Sequence, residues 1–276
     1  MVQQNMTEQQ KARIASMMKT WERRKKITGH LSKITYKIGV YSGKGGVGKT
    51  SVAVNLAALL AGQGARVGVL DADVDCPNAD KVLGVNRKPE YRNGELFPTE
   101  RAGVKIMSMA SFQEKEEEAI IWRGPMISNA LNQFLELTNW GDLDYLIVDL
   151  PPGTSDAPLT VMQALQMDGF IIVTTPQSLA VLDGRRSINM IKKMNIDILG
   201  IVETMSGGVF GKGGGETLAK ETNLPFLGAL SLSEIYQKEG KIPSLHDSTV
   251  RKEFEAIAEK VKTRLEAITA AAAPKT

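Results

Sequence analysis

The sequence contains Ser42-Gly43-Lys44-Gly45-Gly46-Val47-Gly48-Lys49-Thr50-Ser51, in which residues 43–50 match the pattern G-x-x-x-x-G-K-[ST]. A short apolar segment at 37–41 precedes it and predicts a strand, while residues 51–60 predict a buried helix. In a strand–loop–helix unit, backbone N–H groups and a helix N-terminus face an anion. The sequence therefore predicts a phosphate-binding loop formed by residues 43–51.

Acidic residues follow two further predicted strands. Asp71 and Asp73 come after the strand at 66–70, and Asp149 ends another apolar run. Because the carboxyl ends of parallel strands form the ligand edge of an open sheet, we expect these side chains near the loop. An aspartate there can position the attacking water or hold Mg²⁺, directly or through water. We further expect the N–H of Gly153 to contact the γ-phosphate, so that its loop senses hydrolysis.

The composition bounds the class of protein. The chain has 276 residues, 42% of them hydrophobic and 24% charged, as in an ordinary globular protein of one or two domains. We expect no membrane span, since no apolar run approaches ~18 residues, and no signal peptide, since the N-terminus is polar. The one cysteine, Cys76, rules out an internal disulfide and predicts a cytoplasmic protein. We expect Cys76 to be a small buried residue.

The net charge of +3 is unevenly distributed, because residues 1–37 carry nine Lys or Arg and two Glu. Thr7 and Gln10 form a capping-box pattern, which predicts an amphipathic helix over 7–26. Its apolar stripe is thin and comprises Ile14, Met18 and Trp21. Two interpretations are open. We favour packing of the stripe on the domain or on a partner subunit, and the other is contact with nucleic acid or a membrane surface.

Seven predicted strands separated by helices indicate an α/β fold with a doubly wound, mainly parallel sheet and helices on both faces. The strands are 37–41, 66–70, 104–108, 144–149, 170–173, 198–202 and 226–230. The intervening helices include 126–138, 179–193 and 250–268. The turn-rich residues 84–100 predict a loop, and the charge run at 114–118 predicts a mobile one.

Four further stretches carry a family resemblance: residues 121–126 (IWRGPM), 144–154 (DYLIVDLPPGT), 175–177 (TPQ) and 210–216 (FGKGGGE). With the loop, they make residues 33–245 resemble the Mrp/ApbC family, relatives of MinD and ParA. The resemblance implies a homodimeric ATPase of the deviant Walker A class that uses Mg²⁺, takes part in iron–sulfur cluster assembly and serves an unidentified client protein.

The resemblance also implies residue roles. Lys49 contacts the β- and γ-phosphates, and Thr50 holds magnesium. Asp73 positions water, and Asp149 is the metal-side carboxylate with Asp71 nearby. The early lysine of this class, Lys44 here, reaches the nucleotide of the dimer partner, where a second cation offsets the charge on the transferring phosphate.

Two positions depart from the family pattern. The family carries a Cys-x-x-Cys pair before its Phe-Gly stretch, but here residues 206–209 (SGGV) run straight into Phe210. Two cysteines per subunit are needed for a four-thiolate bridging cluster, so we expect no iron–sulfur ligands in this chain. At Thr204 the family has an asparagine that reads the adenine edge. We expect Thr204 to bind the nucleotide at this position, but its hydroxyl cannot make that bidentate contact, which predicts weaker selectivity for the base.

These observations divide the chain into a basic helical arm (1–32), a P-loop ATPase domain (33–269) and a disordered Ala/Pro tail (270–276). Three functions compete. The first is an ATP-switched homodimeric carrier or scaffold of iron–sulfur clusters. The second is a cluster-free, ATP-dependent adaptor of the same family, which the missing cysteine pair favours. The third is a MinD- or ParA-like positioning ATPase that uses the basic arm.

Overall fold

The computed structural model describes residues 7–112, 124–238 and 240–272 of the chain. Helices and strands alternate through these residues. The helices are α1 (Glu8–Leu31), α2 (Lys49–Gly62), α3 (Ala79–Leu83), α4 (Gly124–Leu137), α5 (Asp156–Ala164), α6 (Ser178–Lys193), α7 (Gly214–Thr222), α8 (Pro243–His246) and α9 (Ser248–Ala272). The strands are β1 (Ile34–Tyr41), β2 (Val67–Asp71), β3 (Glu90–Arg92), β4 (Glu95–Phe97), β5 (Thr99–Arg101), β6 (Val104–Ser108), β7 (Leu143–Asp149), β8 (Gly169–Thr174), β9 (Ile198–Ser206) and β10 (Phe226–Ser231).

Eight strands form one sheet in the order β10-β9-β8-β1-β7-β2-β6-β5. Neighbours run parallel except at the edge, where β5 is antiparallel to β6. Parallel neighbours require crossover connections, and the helices that supply them cover both faces. The predicted doubly wound, mainly parallel sheet is confirmed. Since β1 lies between β7 and β8, the loop that follows it stands near the middle of the carboxyl edge.

The core has two layers, one on each face of the sheet. In β8, Ile171 and Val173 face the layer formed with α2 and α9, while Phe170 and Ile172 face the layer formed with α4, α5 and α7. This alternation follows from the period of two in a strand. Burial on both faces explains why the central strands are almost entirely apolar.

The prediction of a loop over 84–100 was wrong. β3 and β4 form an antiparallel hairpin there, and β5 joins the main sheet. Asn93 and Gly94 connect β3 to β4 with φ angles of 52° and 83°. An Asn-Gly pair with positive φ at both residues is the preferred two-residue hairpin turn. The turn residues therefore marked a hairpin, although the strands beside it are short and polar.

The predicted capping box at the start of α1 is confirmed: the Thr7 hydroxyl accepts from Gln10 N at 3.3 Å, and Thr7 N donates to Gln10 Oε1 at 2.9 Å. The helix extends past its predicted end at 26, to Leu31. Packing of the predicted stripe on the domain was wrong, because the side chain of Trp21 is 63% exposed. The contacts with the domain lie on another face, where Arg23 Nε bonds Glu136 Oε2 at 3.0 Å.

Helix α9 runs to Ala272 and so includes the first residues of the predicted tail. The charge run at 114–118, residues 121–123 and residues 273–276 lie outside the described residues. Among the residues that are described, none of the helices is both long enough and apolar enough to span a membrane.

Candidate functional site

The loop between β1 and α2 depends on its glycines. Gly46 and Gly48 have φ angles of 75° and 82°, which residues with a Cβ rarely adopt. A Cβ on Gly43 would lie 2.6 Å from the carbonyl carbon of Asp183 in α6. Helix α2 then begins at Lys49, whose side chain is buried. The first N–H groups of a helix have no intrahelical partners, so the predicted strand–loop–helix unit presents donors to an anion.

The other predicted loop residues differ in exposure. Val47 is buried, Lys44 is half-buried, and Gly45 is exposed. The Ser42 hydroxyl donates to the carbonyl oxygen of Lys44 at 2.7 Å, which fixes the start of the loop. Ser51 follows in the first turn of α2 and is half-buried. The backbone of the loop is therefore held by its own residues and by α6.

Beside the phosphate loop, α2 and β7 bring Thr50 and Asp149 together. The Thr50 hydroxyl donates to Asp149 Oδ2 at 2.5 Å, while Asp149 Oδ1 is buried without a hydrogen-bond partner among the described residues. Burial raises the pKa of Asp149 to about 6, although Lys49 and the Thr50 hydroxyl oppose the rise. An unpartnered buried carboxylate oxygen is costly, so this arrangement fits a cation beside Thr50 and Asp149.

The chemistry of these donors suits magnesium rather than a metal held by protein alone. Within the described ranges, no group of three or more His, Cys, Asp or Glu side chains is placed to hold a metal ion. Magnesium usually takes one or two protein oxygens together with phosphate oxygens and water. Thr50 and Asp149 supply such a partial set at the N-terminus of α2.

Asp71 pairs with Asp149 in the register of β2 and β7, but its carboxylate is occupied by protein donors. Oδ1 accepts from Asp73 N at 3.2 Å, and Oδ2 accepts from Ala79 N at 2.9 Å and Ser108 Oγ at 3.0 Å. Burial and the nearby charge of Asp149 raise its pKa well above the usual value. These bonds position the loop after β2. The sequence had instead predicted that Asp71 lies beside the metal.

Asp73 stands in that loop and is buried. Its Oδ1 accepts from Asp75 N at 3.2 Å and from Cys76 N at 3.1 Å, which closes a tight turn. The turn directs the backbone N–H of Cys76 inward, and the Cys76 side chain is exposed. The prediction of a buried Cys76 was therefore wrong. The exposure of Cys76 follows from the turn in which it lies and not from the apolar character of its side chain.

Gly153 lies in the loop after β7 with a φ of 85°. Its N–H, which the sequence predicts at the γ-phosphate, donates in this structure to the carbonyl oxygen of Ser42 at 3.1 Å. The hydroxyl of the buried Tyr41 donates to the Gly153 carbonyl oxygen. Both backbone groups of Gly153 are thus bonded to the end of β1 and the start of the phosphate loop.

Thr204 lies near the end of β9. Its hydroxyl lies 2.6 Å from the carbonyl oxygen of Val47 and 3.1 Å from that of Thr174. It therefore supports the phosphate loop from β9. Thr204 also lines a cavity of about 110 Å³, together with Gly48, Ser51, Leu230 and Tyr236. This cavity adjoins the start of α2.

The glycine-rich segment 206–215 follows β9. The Glu203 carboxylate is buried and accepts from Gly213 N at 3.2 Å and Gly215 N at 2.7 Å. Within the segment, Gly207 N donates to the carbonyl oxygen of Gly211 at 2.7 Å. The segment is closed by its own backbone and one carboxylate, and it contains no cysteine.

Two residues of this edge were missed by reasoning from sequence. Tyr41 was visible only as a strand residue, although a tyrosine ending a buried strand must place its hydroxyl against a partner. Glu203 was visible as a charge within an otherwise apolar strand, and a buried carboxylate requires donors. The sequence therefore indicated that each side chain needs a hydrogen-bond partner, but it did not indicate which residue is that partner.

A mainly parallel sheet with a phosphate loop after its central strand and an aspartate at the end of the neighbouring strand defines a P-loop nucleotide-binding protein of the NTPase class. The chain belongs to the ParA family, described as NUBPL iron-transfer P-loop NTPases, whose model matches residues 33–262.

Curated relatives agree with that assignment. The chain is 45% identical over 258 residues to an iron–sulfur cluster carrier protein of Methanocaldococcus jannaschii, covering 87% of this chain and 89% of the relative. It is 47% identical over 219 residues to one of Methanococcus maripaludis, covering 75% of this chain and 76% of the relative.

Solved structures share the fold. A nucleotide-binding protein from Archaeoglobus fulgidus in complex with ADP matches with a TM-score of 0.66 and 33% identity, covering 86% of this chain and 92% of that one. The cell division ATPase MinD of Pyrococcus furiosus also matches with a TM-score of 0.66, at 21% identity, covering 83% of this chain and 99% of that one. The second likeness concerns the fold alone.

Proposed function

We propose that the protein binds Mg·ATP, hydrolyses it slowly and acts as a homodimer in iron–sulfur cluster assembly. One observation carries the nucleotide part. Thr50 and Asp149 are bonded at the N-terminus of α2, and one buried carboxylate oxygen of Asp149 has no partner among the described residues. The assembly role rests on the family and on its curated relatives. The single cysteine supports a cytoplasmic setting.

In this proposal the loop residues bind and orient the triphosphate. The N–H groups of residues 43–51 surround the phosphates, and Lys49 lies beside the β- and γ-phosphates. Magnesium, when bound, neutralises phosphate charge, and Thr50 with Asp149 would hold it. Asp71 acts on the site indirectly, by fixing the loop that carries Asp73.

Asp73 orients the attacking water, since its backbone position is fixed by the turn with Asp75 and Cys76. Lys44 extends to the nucleotide of the partner subunit. A cation supplied across an interface makes hydrolysis depend on dimer formation, as a finger residue does in other phosphoryl-transfer proteins.

Gly153 provides the response to nucleotide. Its N–H donates to the carbonyl oxygen of Ser42, so contact with the γ-phosphate requires that this N–H exchange one acceptor for another. Such an exchange moves the loop after β7 and couples the bound nucleotide to the surface of the subunit. This is how we connect ATP to binding and release of a client.

The cluster is cargo in this proposal, and the chain's own thiols do not hold it in a four-thiolate bridge. Segment 206–215 has no cysteine, and the one thiol at Cys76 gives a dimer two thiolates where four are needed. The missing pair favours an ATP-dependent adaptor over a carrier. A partner protein would then supply the thiolate ligands.

Anaerobic reconstitution of the full chain with iron and sulfide tests this point. We expect neither visible absorbance of a cluster nor stoichiometric iron and sulfide, and we expect the same result for Cys76→Ser. Stoichiometric iron and sulfide in the dimer, lost in Cys76→Ser, would return the protein to the carrier class. ATP hydrolysis measured in parallel, with and without chelation of magnesium, shows that the preparation is active.

A further inference from the structure

Helix α1 exposes a continuous apolar stripe. Ile14, Met17, Met18 and Trp21 follow the spacing i, i+3, i+4, i+7, which places them on one face of a helix. Their exposed fractions are 45%, 64%, 59% and 63%. Single exposed apolar residues are ordinary, but four neighbours over two turns form a surface that water solvates poorly.

The stripe faces away from the domain. Arg23 and Lys26 lie 3.0 and 3.7 Å from the Glu136 carboxylate on α4, and Ile27 is buried in the core. At 3.6 residues per turn, Arg23 and Ile27 lie roughly 130–170° around the helix from the centre of the stripe. One face of α1 is therefore fixed to α4. The stripe runs along the opposite side of the helix and points away from the domain.

Cations lie beside this stripe. Helix α1 contains seven Lys or Arg and two Glu, and the exposed Arg13, Arg24 and Lys25 lie roughly 30–90° around the helix from the centre of the stripe. Lys25 Nζ lies 5.4 Å from the centre of the Trp21 ring. A tryptophan ring beside a lysine ammonium is an amphipathic pair that suits the headgroup level of a bilayer.

The charges also separate the possible occupants. A second copy of α1 would bring two strongly basic helices together, which like-charge repulsion opposes. Nucleic acid would pair with the cations but leave the apolar stripe in water. An anionic lipid surface satisfies both features at once, because it offers acidic headgroups and an apolar layer beneath them.

We propose that α1 docks the protein on an anionic lipid bilayer, with the helix parallel to the surface and Ile14, Met17, Met18 and Trp21 inserted at headgroup depth. The docking is peripheral, and the contacts of Arg23, Lys26 and Ile27 hold the nucleotide-binding domain to the docked helix. This binding needs no ATP and is independent of the proposed function.

Co-sedimentation of the full chain with vesicles tests the proposal. We expect binding to vesicles that contain phosphatidylglycerol, roughly tenfold weaker binding to phosphatidylcholine alone, and release from the former at about 0.5 M NaCl. The double variant Met17→Ser/Trp21→Ser should lose roughly tenfold in bound fraction, since it removes the inserted area. Tyr91→Ser is the matched control, because Tyr91 is 64% exposed in β3, and it should bind as the parent protein does.

Circular dichroism and ATP affinity show that each variant is folded. Absence of binding to phosphatidylglycerol vesicles overturns the proposal, as does equal binding by the double variant. A change of oligomeric state in the double variant, with no lipid binding by the parent, would assign the stripe to a subunit interface instead. The helix would be assigned to nucleic acid by a third result, again without lipid binding by the parent. In that case the protein binds DNA, Lys19→Gln/Lys25→Gln abolishes this binding, and Met17→Ser/Trp21→Ser retains it.

Discussion

The phosphate loop and the glycine-rich segment 206–215 are both loops rich in glycine at the carboxyl edge of the same sheet, yet they differ in what they leave open. At the phosphate loop, the buried Asp149 Oδ1 has no hydrogen-bond partner among the described residues. In segment 206–215, the Glu203 carboxylate accepts from Gly213 N and Gly215 N, and Gly207 N donates to the carbonyl oxygen of Gly211. Glycine content alone therefore does not define a binding site. The difference lies in whether the polar groups have partners already.

The largest expected effect tests the open loop. Lys49→Ala should weaken ATP binding roughly thousandfold, because it removes a buried cation from the phosphates. Isothermal calorimetry measures the affinity. Lys212→Ala, an exposed lysine in segment 206–215, is the matched control and should leave affinity unchanged. Equal ATP affinity in Lys49→Ala and the parent protein would contradict the assignment of residues 43–51 as the nucleotide-binding loop.

The next effect separates binding from chemistry at the open loop. Asp73→Asn should slow ATP turnover roughly a hundredfold and change ATP affinity little, because water positioning acts in the transition state. Steady-state kinetics with calorimetry gives both quantities. Asp75→Asn, an exposed neighbour in the same turn, should retain turnover. A variant Asp73→Asn that turns over normally would exclude Asp73 from the reaction.

A smaller effect concerns the second lysine of the loop. Lys44→Ala and Lys49→Ala subunits should each be inactive alone, and an equimolar mixture should recover roughly a quarter of the parent activity, since half of randomly formed dimers hold one complete site. ATP hydrolysis is measured after exchange of subunits. If heterodimers form and no activity returns, Lys44 acts within its own subunit.

The smallest effect on nucleotide binding is expected in the closed segment. A Cβ on Gly215 would lie 2.9 Å from Glu203 Cβ and 3.2 Å from Phe226 Cε2. Gly215→Ala should therefore destabilise the fold by about 1–3 kcal/mol through overpacking and leave ATP affinity unchanged. Urea unfolding measures the stability. Gly29→Ala is the control, since a Cβ there meets no atom within 4 Å. A loss of ATP affinity in Gly215→Ala would show that the two loops are coupled.

Much of the fold followed from short patterns in the sequence. The apolar runs of β7 and β8 predicted buried parallel strands because strands covered on both faces must be apolar throughout. The start of α1 followed from Thr7 and Gln10, since a capping box is a local interaction. The hairpin at 90–97 was missed because its strands are short and polar, although Asn93-Gly94 marked the turn.

The candidate residues for nucleotide binding could be picked out from the sequence, because a phosphate loop needs glycines, Lys49 and Thr50 at fixed spacing along the chain. The contacts of the groups around them could be read only from the fold. Thr204 turns to Val47, the Gly153 N–H bonds Ser42, and the stripe of α1 faces away from the domain. The physical reason is that these partners are distant in sequence. Their pairing depends on which strands are neighbours in the sheet and on which helix face is buried.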